Sequence, residues 1–279
     1  MHRVARLLAV IVALGLTLAA CADDESLDGM SITVLTHDSF VISEEALAAF
    51  TAQTGISVSI QTLGDTGTMV SEAILTVGNP LGDVMFGIDN TFLQRGLDAD
   101  LFEAYESTNL GGVRAGLDLD AEHRVTPIDF GNVCVNYWID AVPHGNPTSL
   151  KDLTDPANAG QLVVENPETS SPGLAFLLAT IAATPDWEQY WTDLVENGVS
   201  VTSGWEEAYY GEFVAGGGNR SMVVSYASSP AAEVFFAAEP MDAAPTGVLL
   251  DSCFRQIEFA GVLAGAQNTA GAGAFIDFL

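Results

Sequence analysis

Basic residues are scarce in this sequence of 279 residues. It contains 8 Lys and Arg against 37 Asp and Glu, which gives a formal net charge of -29. Proteins that bind nucleic acid use Lys and Arg to replace the counterions of the phosphate backbone, so this balance excludes a nucleic-acid-binding protein. Hydrophobic residues make up 48% of the chain and charged residues 16%, which excludes a disordered acidic chain. We expect the acidic surface to keep the protein soluble.

The apolar run at the N-terminus is too short for a permanent transmembrane helix. Residues 7–18 are uncharged and apolar, and they follow two positive charges, Arg3 and Arg6. A membrane-spanning helix needs about 20 apolar residues, whereas a cleaved export signal has this length and these flanks. The sequence therefore predicts a signal peptide over residues 1–20.

The residues after this run predict a lipid anchor. The tetrapeptide Leu-Ala-Ala-Cys that ends at Cys21 resembles the bacterial lipobox, whose cysteine becomes the acylated first residue of the mature protein. Residues 21–30 are acidic and turn-rich, as a solvated tether should be. We expect an extracytoplasmic lipoprotein that is lipidated at Cys21. The alternative is an ordinary secretory signal with an incidental cysteine.

Cysteine is also rare, and two cysteines remain in the mature body. Cys134 and Cys253 both lie in runs typical of β-strands. In an oxidising exterior an even pair is a disulfide candidate, although sequence does not prove partners. Two buried thiols are the other interpretation.

The first half of the mature chain alternates strand and helix patterns joined by short links. The run of residues 44–55 has the apolar spacing of a helix, and Gly55 supplies a stop. Such alternation predicts an α/β lobe with a largely parallel sheet. Ligands of such sheets collect at the carboxyl ends of strands. His37, Asp65 and Asp89 are expected at that rim.

The second half predicts a crossing strand and a well-marked helix. Residues 125–140 form an extended run that could cross between lobes, and residues 254–266 look like a return strand. Ser170 or Ser171 can cap a helix that has a proline in its first turn. The N–H groups at such a helix start attract anions. The chain stops within an apolar helix pattern that has no cap, which suggests an incomplete gene product.

Six short motifs follow one another in a fixed order along the chain. They are THDSF, GDVMFGIDN, TPIDFGNV, ENPETSSPGL, VTSGWEEAY and VVSYASSP. In this order, over about residues 32–279, they resemble the periplasmic thiamine-binding proteins of ABC importers. The resemblance implies an α/β type II periplasmic-binding-protein fold with two lobes, mixed and mostly parallel sheets, and hinge crossover strands. Lobe 1 would comprise residues 31–125 plus about 256–279, and lobe 2 residues 126–255.

The resemblance and the strand ends together give eight candidate ligand-binding residues. They are His37, Asp65, Thr66, Asp89, Ser170, Ser171, Trp205 and Tyr226. The implied ligand is thiamine or a thiamine phosphate, and the implied partner is an ABC permease in the membrane. We expect a monomer that closes around its solute by hinge motion.

Each candidate role has a structural alternative. Trp205 and Tyr226 match aromatic contacts of the family and could sandwich the cationic ring, or they could only pack in the core. Asp65, with Thr66 in place of the family's glycine, could orient an amine, or it could only shape a turn. The serines before the helix match a phosphate-holding pair, or they are only a cap. His37 stands where the family has a tyrosine, and Asp89 could instead cap the helix after it.

The chain also departs from the family pattern. The family's tryptophan after the DSF motif is missing, Ala232 replaces a tyrosine, and a C-terminal section with another binding-site tryptophan is absent. Other solutes of the same fold therefore stay open, namely a polyamine, a thiamine-precursor pyrimidine, or ferric iron held by Tyr209 and Tyr210.

Enzyme chemistry finds little support in the sequence. The chain has no Gly-x-Ser-x-Gly, His-Glu-x-x-His or Cys-x-x-Cys motif, and it predicts no catalytic residue, metal or cofactor. The enzymatic alternative is a thiamine-cleaving enzyme that uses Cys134 as its nucleophile. The apolar strand around Cys134 would raise the pKa of its thiol and make it inert.

Overall fold

The computed structural model describes residues 29–279. The signal peptide predicted over residues 1–20, the lipidation site at Cys21 and most of the tether predicted over residues 21–30 lie outside the described residues. Within the part that is described, no helix combines the length and the apolar character needed to cross a membrane.

Residues 29–279 form nine strands and eight α-helices. The strands are β1 (Ser31–Thr36), β2 (Ser57–Thr62), β3 (Val84–Asp89), β4 (Phe102–Glu103), β5 (Thr126–Trp138), β6 (Leu162–Glu165), β7 (Ser200–Thr202), β8 (Met222–Tyr226) and β9 (Thr246–Leu263). The helices are α1 (Glu44–Thr54), α2 (Thr66–Ile74), α3 (Leu93–Asp98), α4 (Ser171–Ala183), α5 (Trp187–Glu196), α6 (Trp205–Glu207), α7 (Ser229–Phe235) and α8 (Thr269–Phe278). The alternation of strand and helix predicted from the sequence is confirmed.

All nine strands belong to one hydrogen-bonded sheet. Their order is β2-β1-β3-β9-β5-β8-β6-β7, and β4 pairs with β9. The outer strands are parallel to one another on both sides, whereas β5 and β9 run antiparallel to all their neighbours. The two parallel parts are therefore joined by a pair of long central strands, as the crossing-strand prediction requires.

The hydrophobic core is divided between the two parts of the sheet. Core residues around β1–β3 come from positions 32–125 and 257–276, and those around β6–β8 come from positions 133–249. We call these halves the first lobe and the second lobe. The lobe limits that the sequence predicts stay a prediction, and this division of the core supports them.

The crossing strands β5 and β9 pair along almost their whole length. Their register runs from Thr126 opposite Ala260 to Trp138 opposite Thr246, with irregularities after Pro127 and after Val133. The Oγ of Ser252 accepts the backbone N–H of Val135 at 2.7 Å, which satisfies a donor that the second irregularity would otherwise leave free. Cys134 and Cys253 form a disulfide between the two strands.

Local signals placed several helix ends correctly. The Oγ of Ser43 accepts the N–H of Ala46 at the start of α1, and Gly55 ends that helix in the left-handed conformation with φ 75°. The start predicted at Ser170 and Ser171 is where α4 begins, with proline in its first turn. Helix α2 begins at Thr66, and the side chain of Asp65 caps it.

Candidate functional site

The two lobes touch through loops at the ends of their strands. The backbone N–H of Trp205 in the second lobe donates to Oδ2 of Asp65 in the first lobe at 3.0 Å. The N–H of Gly67 donates to the carbonyl oxygen of Thr169 at 2.9 Å. These contacts close one side of the cleft between the lobes.

A cavity of 330 Å3 lies between the lobes. Its walls come from both lobes and from the crossing strands, and the residues are His37, Ser39, Asp129, Phe130, Gly131, Trp205, Tyr226, Ser228, Gln256 and Glu258. This volume is in the range of small-molecule sites. Three of the predicted ligand-binding residues are brought together here: His37, Trp205 and Tyr226. We call this space the cleft cavity.

Trp205 and Tyr226 are both half-buried. The indole N–H of Trp205 donates to Ser225 Oγ at 2.9 Å, which fixes the ring. Tyr209 stacks on Trp205 with centroids 4.9 Å apart.

The aromatic sandwich expected from the sequence is not formed. The rings of Trp205 and Tyr226 are 6.1 Å apart and inclined at 60°. Two rings that hold a ligand ring between them must face each other nearly parallel, whereas these two are steeply inclined. A ligand can lie against both rings but not between them.

The wall opposite these rings is acidic. Nε2 of His37 lies 3.8 Å from Oε2 of Glu258. Burial acts to lower the pKa of His37, but the carboxylates of Glu258, Asp65 and Asp38 together outweigh this, so the pKa is raised above 6.5. Burial, together with the charge of Glu258, raises the pKa of Asp129 to about 6. Gly87 has a positive φ of 95° and leaves room for the imidazole, because a Cβ there would collide with His37.

Asp65 and Thr66 do not line the cleft cavity. Oδ1 of Asp65 accepts the N–H of Thr66 at 2.6 Å and caps α2, while Oδ2 accepts the N–H of Trp205. The hydroxyl of Thr66 donates to the carbonyl oxygen of Gly87 at 3.1 Å. Asp65 therefore connects the lobes in this structure, and its contact with a ligand stays a prediction.

Asp89 takes the capping role that the sequence left open. Its Oδ1 accepts the N–H groups of Thr91 at 3.1 Å and Phe92 at 3.2 Å, just before α3. Asp89 is fully buried, and this burial raises its pKa to about 6.

Ser170 and Ser171 are sealed inside the junction of the lobes. Their exposed fractions are 0% and 1%, and neither hydroxyl has a hydrogen-bond partner within residues 29–279. The first turn of α4 packs tightly on the end of β6, where a Cβ at Gly173 would collide with the carbonyl of Glu165. The phosphate contact predicted for the two serines stays a prediction, because in this closed arrangement the helix start does not reach the cleft cavity.

Sequence reasoning missed the polar residues of the crossing strands. Asp129 and Glu258 are register partners on β5 and β9, and Gln256 lies next to them in the cavity wall. Asp129 and Phe130 follow the irregularity in β5. The motif TPIDFGNV contains Asp129 and was the available signal, but the motif alone does not indicate a role for this carboxylate.

A second cavity lies within the second lobe on the other side of Trp205. Its volume is 590 Å3, and its aromatic walls include Trp138, Tyr209, Tyr210 and Phe236. The hydroxyl of Tyr209 donates to the Glu233 carboxylate.

Tyr209 and Tyr210 are the residues that the ferric-iron alternative would use. Burial and the Glu233 carboxylate raise the pKa of the Tyr209 hydroxyl, which keeps it protonated. Residues 29–279 contain no group of three His, Cys, Asp or Glu side chains placed to hold a metal ion. A ferric ion would have to displace the phenolic proton of Tyr209, and iron binding by the paired tyrosines stays a prediction.

The chain resembles bacterial binding proteins in sequence. A family model described as bacterial extracellular solute-binding protein matches residues 45–279. The thiamine-binding periplasmic protein of Escherichia coli (strain K12) is 28% identical over 257 residues, which cover 89% of this chain and 75% of that protein. That of Brucella abortus biovar 1 (strain 9-941) is 29% identical over 264 residues, which cover 93% of this chain and 73% of that protein.

Solved structures show the same fold. A periplasmic thiamin binding protein superposes with a TM-score of 0.78 at 25% identity and covers 89% of this chain and 77% of its own. The periplasmic binding protein AfuA from Actinobacillus pleuropneumoniae, with exogenous fructose-6-phosphate bound, gives 0.78 at 16% identity, covers 90% and 79%, and shows the fold alone. The predicted α/β type II fold is confirmed.

Proposed function

Because the chain belongs to the family of bacterial extracellular solute-binding proteins, we propose that it binds thiamine or a thiamine phosphate and delivers it to an ABC permease. Proteins of this family bind and present solutes and are not enzymes. Cys134, the nucleophile of the enzymatic alternative, is bonded to Cys253 and carries no free thiol. The names of the relatives place them in the periplasm, which supports an extracytoplasmic location.

The cleft cavity supports a flat cation as the solute. Trp205 and Tyr226 offer ring faces and edges, Glu258 and Asp129 offer carboxylates, and no Lys or Arg is among its lining residues. A cation over an aromatic face gains about 0.5–2 kcal/mol. Thiamine carries a positive thiazolium ring and an aminopyrimidine, which a carboxylate or the amide of Gln256 can bind by hydrogen bonds. This pairing of rings with carboxylates is the observation that carries the proposal.

We also propose how the protein is anchored to the membrane and how its lobes move. A lipid at Cys21 would anchor the protein at the cell membrane, where it would act as a monomer. Hinge motion about the crossing strands would close the lobes around the solute.

A polyamine is the second candidate solute. It is a cation without an aromatic ring, so the carboxylates of Glu258 and Asp129 would bind it as well. It would not use the ring faces of Trp205 and Tyr226 for stacking. The thiamine-precursor pyrimidine would use the rings but carries no permanent positive charge.

Isothermal titration calorimetry tests the proposal. We expect thiamine to bind more tightly than hydroxymethylpyrimidine, spermidine or ferric citrate. Trp205→Ala should weaken thiamine binding by about 1.5–3 kcal/mol, because a cation–π contact and buried apolar area are both lost.

Trp187→Ala is the matched control. Trp187 is a tryptophan at the start of α5 that lines neither cavity beside Trp205. It should leave the affinity unchanged. Absence of heat with every thiamine compound, or an unchanged affinity in Trp205→Ala, would contradict the proposal.

A further inference from the structure

The second cavity shares Trp205 with the cleft cavity and is lined by aromatic rings. Its volume of 590 Å3 is in the range of small-molecule sites. The aromatic residues that line it are Trp138, Trp205, Tyr209, Tyr210 and Phe236. Most of the remaining wall is apolar, so the cavity offers ring faces and edges rather than hydrogen-bonding groups.

The rings of this cavity face more than one direction. The ring of Tyr210 is inclined at 81° to that of Trp205, with centroids 5.4 Å apart. It is inclined at 76° to that of Tyr209, with centroids 5.3 Å apart. Trp205 and Tyr209 are nearly parallel, at 25°. Aromatic walls therefore meet nearly at a right angle, as in the cages that surround methylated ammonium groups.

Helical spacing brings three of these rings together. Trp205 begins α6, and Tyr209 lies one turn further along, on the same face. The chain continues as a π-helix over Ala208–Glu212, a rare form that occurs often at functional sites. Phe236, directly after α7, comes from a different part of the second lobe.

The second cavity contains two carboxyl groups and no positive charge. Glu233 and Glu239 line it, and none of its lining residues within positions 29–279 is Lys, Arg or His. In this part of the chain, guanidinium groups lie over the ring of Phe130 and over no ring of the second cavity. The protein therefore does not fill the cavity with a cation of its own, and a cationic ligand would meet both aromatic rings and carboxylate charge.

The polar side chains inside this wall are already paired. The hydroxyl of Tyr209 donates to Oε1 of Glu233, and Oγ1 of Thr246 donates to Oε2 at 2.8 Å. The hydroxyls of Ser229 and Ser225 share a hydrogen bond of 3.0 Å. An ammonium ion with N–H groups would lose hydrogen bonds to water here and regain few of them, which costs free energy. A quaternary ammonium group has no N–H to satisfy.

We propose that the second cavity binds a small quaternary ammonium compound of the choline type against its aromatic walls and beside Glu233. The positive charge of such a group is spread over its methyl groups, which contact the rings, and the carboxylate balances this charge. The site is separate from the cleft cavity, and the inference does not rest on the proposed function. Trp205 forms part of the wall of both spaces.

The test is calorimetry with choline and with neohexyl alcohol. Neohexyl alcohol has the shape of choline, but carbon replaces its nitrogen and removes the charge. We expect the wild-type protein to bind choline at least about tenfold more tightly, because only choline gains from cation–π contact and from the carboxylate. The double variant Tyr210→Ala/Phe236→Ala, which removes two exposed rings, should bind choline about tenfold more weakly.

Phe235→Ala is the matched control. Phe235 is the last residue of α7 and directly precedes Phe236. The exposed fractions of the two side chains are 80% and 79%, but only Phe236 lines the second cavity. The control should therefore change the affinity for choline by less than about twofold.

Competition with thiamine locates the choline site. Choline should still bind to a protein that is saturated with thiamine, because the two ligands occupy different cavities. If no thiamine compound binds, the proposed function fails, and Glu258→Gln takes the place of the competition. Glu258 lines the cleft cavity but not the second cavity, so this substitution should leave choline binding unchanged.

Four results would overturn the inference. They are absence of heat with choline, equal affinity for neohexyl alcohol, an unchanged affinity in the double variant, and complete displacement of choline by thiamine. Sedimentation tests the other possible occupant, a second copy of the chain. A wild-type dimer that becomes monomeric in Tyr210→Ala/Phe236→Ala would show that these rings form a contact between copies, and the proposed site would be wrong.

Discussion

Several polar side chains are buried without partners where the lobes meet. Thr36, Glu165, Ser170 and Ser171 each have a side-chain oxygen without a hydrogen bond among the described residues. Buried polar groups in folded proteins nearly always have a partner. Glu165 is the extreme case, because both of its carboxyl oxygens are unpaired and its exposed fraction is 0%.

Glu165→Gln should stabilise the protein at neutral pH. Burial, followed by the charge of Asp65, raises the pKa of Glu165 well above its ordinary value of 4.5. When the folded-state pKa of a carboxyl group is raised, the protonated group stabilises the folded protein at a pH below its unfolded-state pKa. This stabilisation is lost as the pH rises through the folded-state pKa. Urea denaturation at pH 4 and pH 7.5 should therefore show a gain from the substitution at pH 7.5 and little difference at pH 4.

The exposed Glu168 supplies the control for this substitution. Glu168→Gln should change the free energy of unfolding little at either pH. A variant Glu165→Gln that is less stable than the wild type at pH 7.5 would show that the carboxylate has an ionic partner in the folded protein.

Among the secondary-structure elements, β5 and β9 connect the two lobes. They lie at the centre of the sheet, pass from one lobe to the other and supply Asp129, Phe130, Gln256 and Glu258 to the cleft cavity. Any change in their register would alter the cavity wall and the hinge together. The disulfide between Cys134 and Cys253 fixes this register beside the second irregularity of β5.

Replacing both cysteines by alanine should cost about 2–5 kcal/mol of unfolding free energy. The two cysteines are 119 positions apart in the chain, so the bond removes much freedom from the unfolded state. Denaturation with and without dithiothreitol measures the effect. Reductant should destabilise the wild type and leave the double-alanine variant unchanged, and a wild type that is indifferent to complete reduction would contradict the prediction.

The contact between α2 and the loop before α4 should depend on the absence of a side chain at Gly67. A Cβ there would lie 2.6 Å from the carbonyl oxygen of Glu168, which belongs to the other lobe. Gly67→Ala should favour an open arrangement and weaken ligand binding by about 1–3 kcal/mol, the usual cost of overpacking.

Small-angle X-ray scattering without ligand and calorimetry with ligand measure this effect. The radius of gyration of Gly67→Ala should exceed that of the wild type. Gly111→Ala is the control, because no atom lies within 4 Å of a Cβ at that position. Identical scattering and affinity in wild type and Gly67→Ala would mean that the lobes do not close on this contact.

At the scale of the whole molecule, the net charge of -29 acts on stability. Like charges on a compact protein repel, and at moderate ionic strength salt largely screens the repulsion between charges more than about 10 Å apart. Two carboxyl groups add to the effect, because burial keeps Asp89 and Asp129 protonated to higher pH than usual.

The melting temperature should be higher at pH 5 than at pH 8 in low salt. The pKa values of Asp89 and Asp129 rise from 3.8 to about 6, so their contribution is present below pH 3.8 and is lost as the pH rises to 6. His37, with its raised pKa, also loses its contribution as the pH rises. Scanning calorimetry in about 0.02 and 0.5 M NaCl should show a smaller decrease at high salt. A melting temperature that rises from pH 5 to pH 8 would contradict the prediction.

The local features of this protein follow from the order of its residues alone. Strand and helix periodicity, the stop at Gly55 and the start of α4 all depend on near neighbours in the chain. Short polar motifs in a fixed order were enough to indicate the family. Such signals are local, and the physical forces behind them act over a few residues.

Which groups meet in the cleft, by contrast, depends on how distant parts of the chain pack together. Asp65 bonds to the backbone of Trp205 across 140 positions, and Glu258 reaches His37 because β9 returns beside β3. The guanidinium groups of Arg114 and Arg255 lie over the Phe130 ring only because the crossing strands have paired. These meetings depend on strand register, an irregularity in β5 and closure of the lobes, and none of these leaves a periodic trace in the sequence.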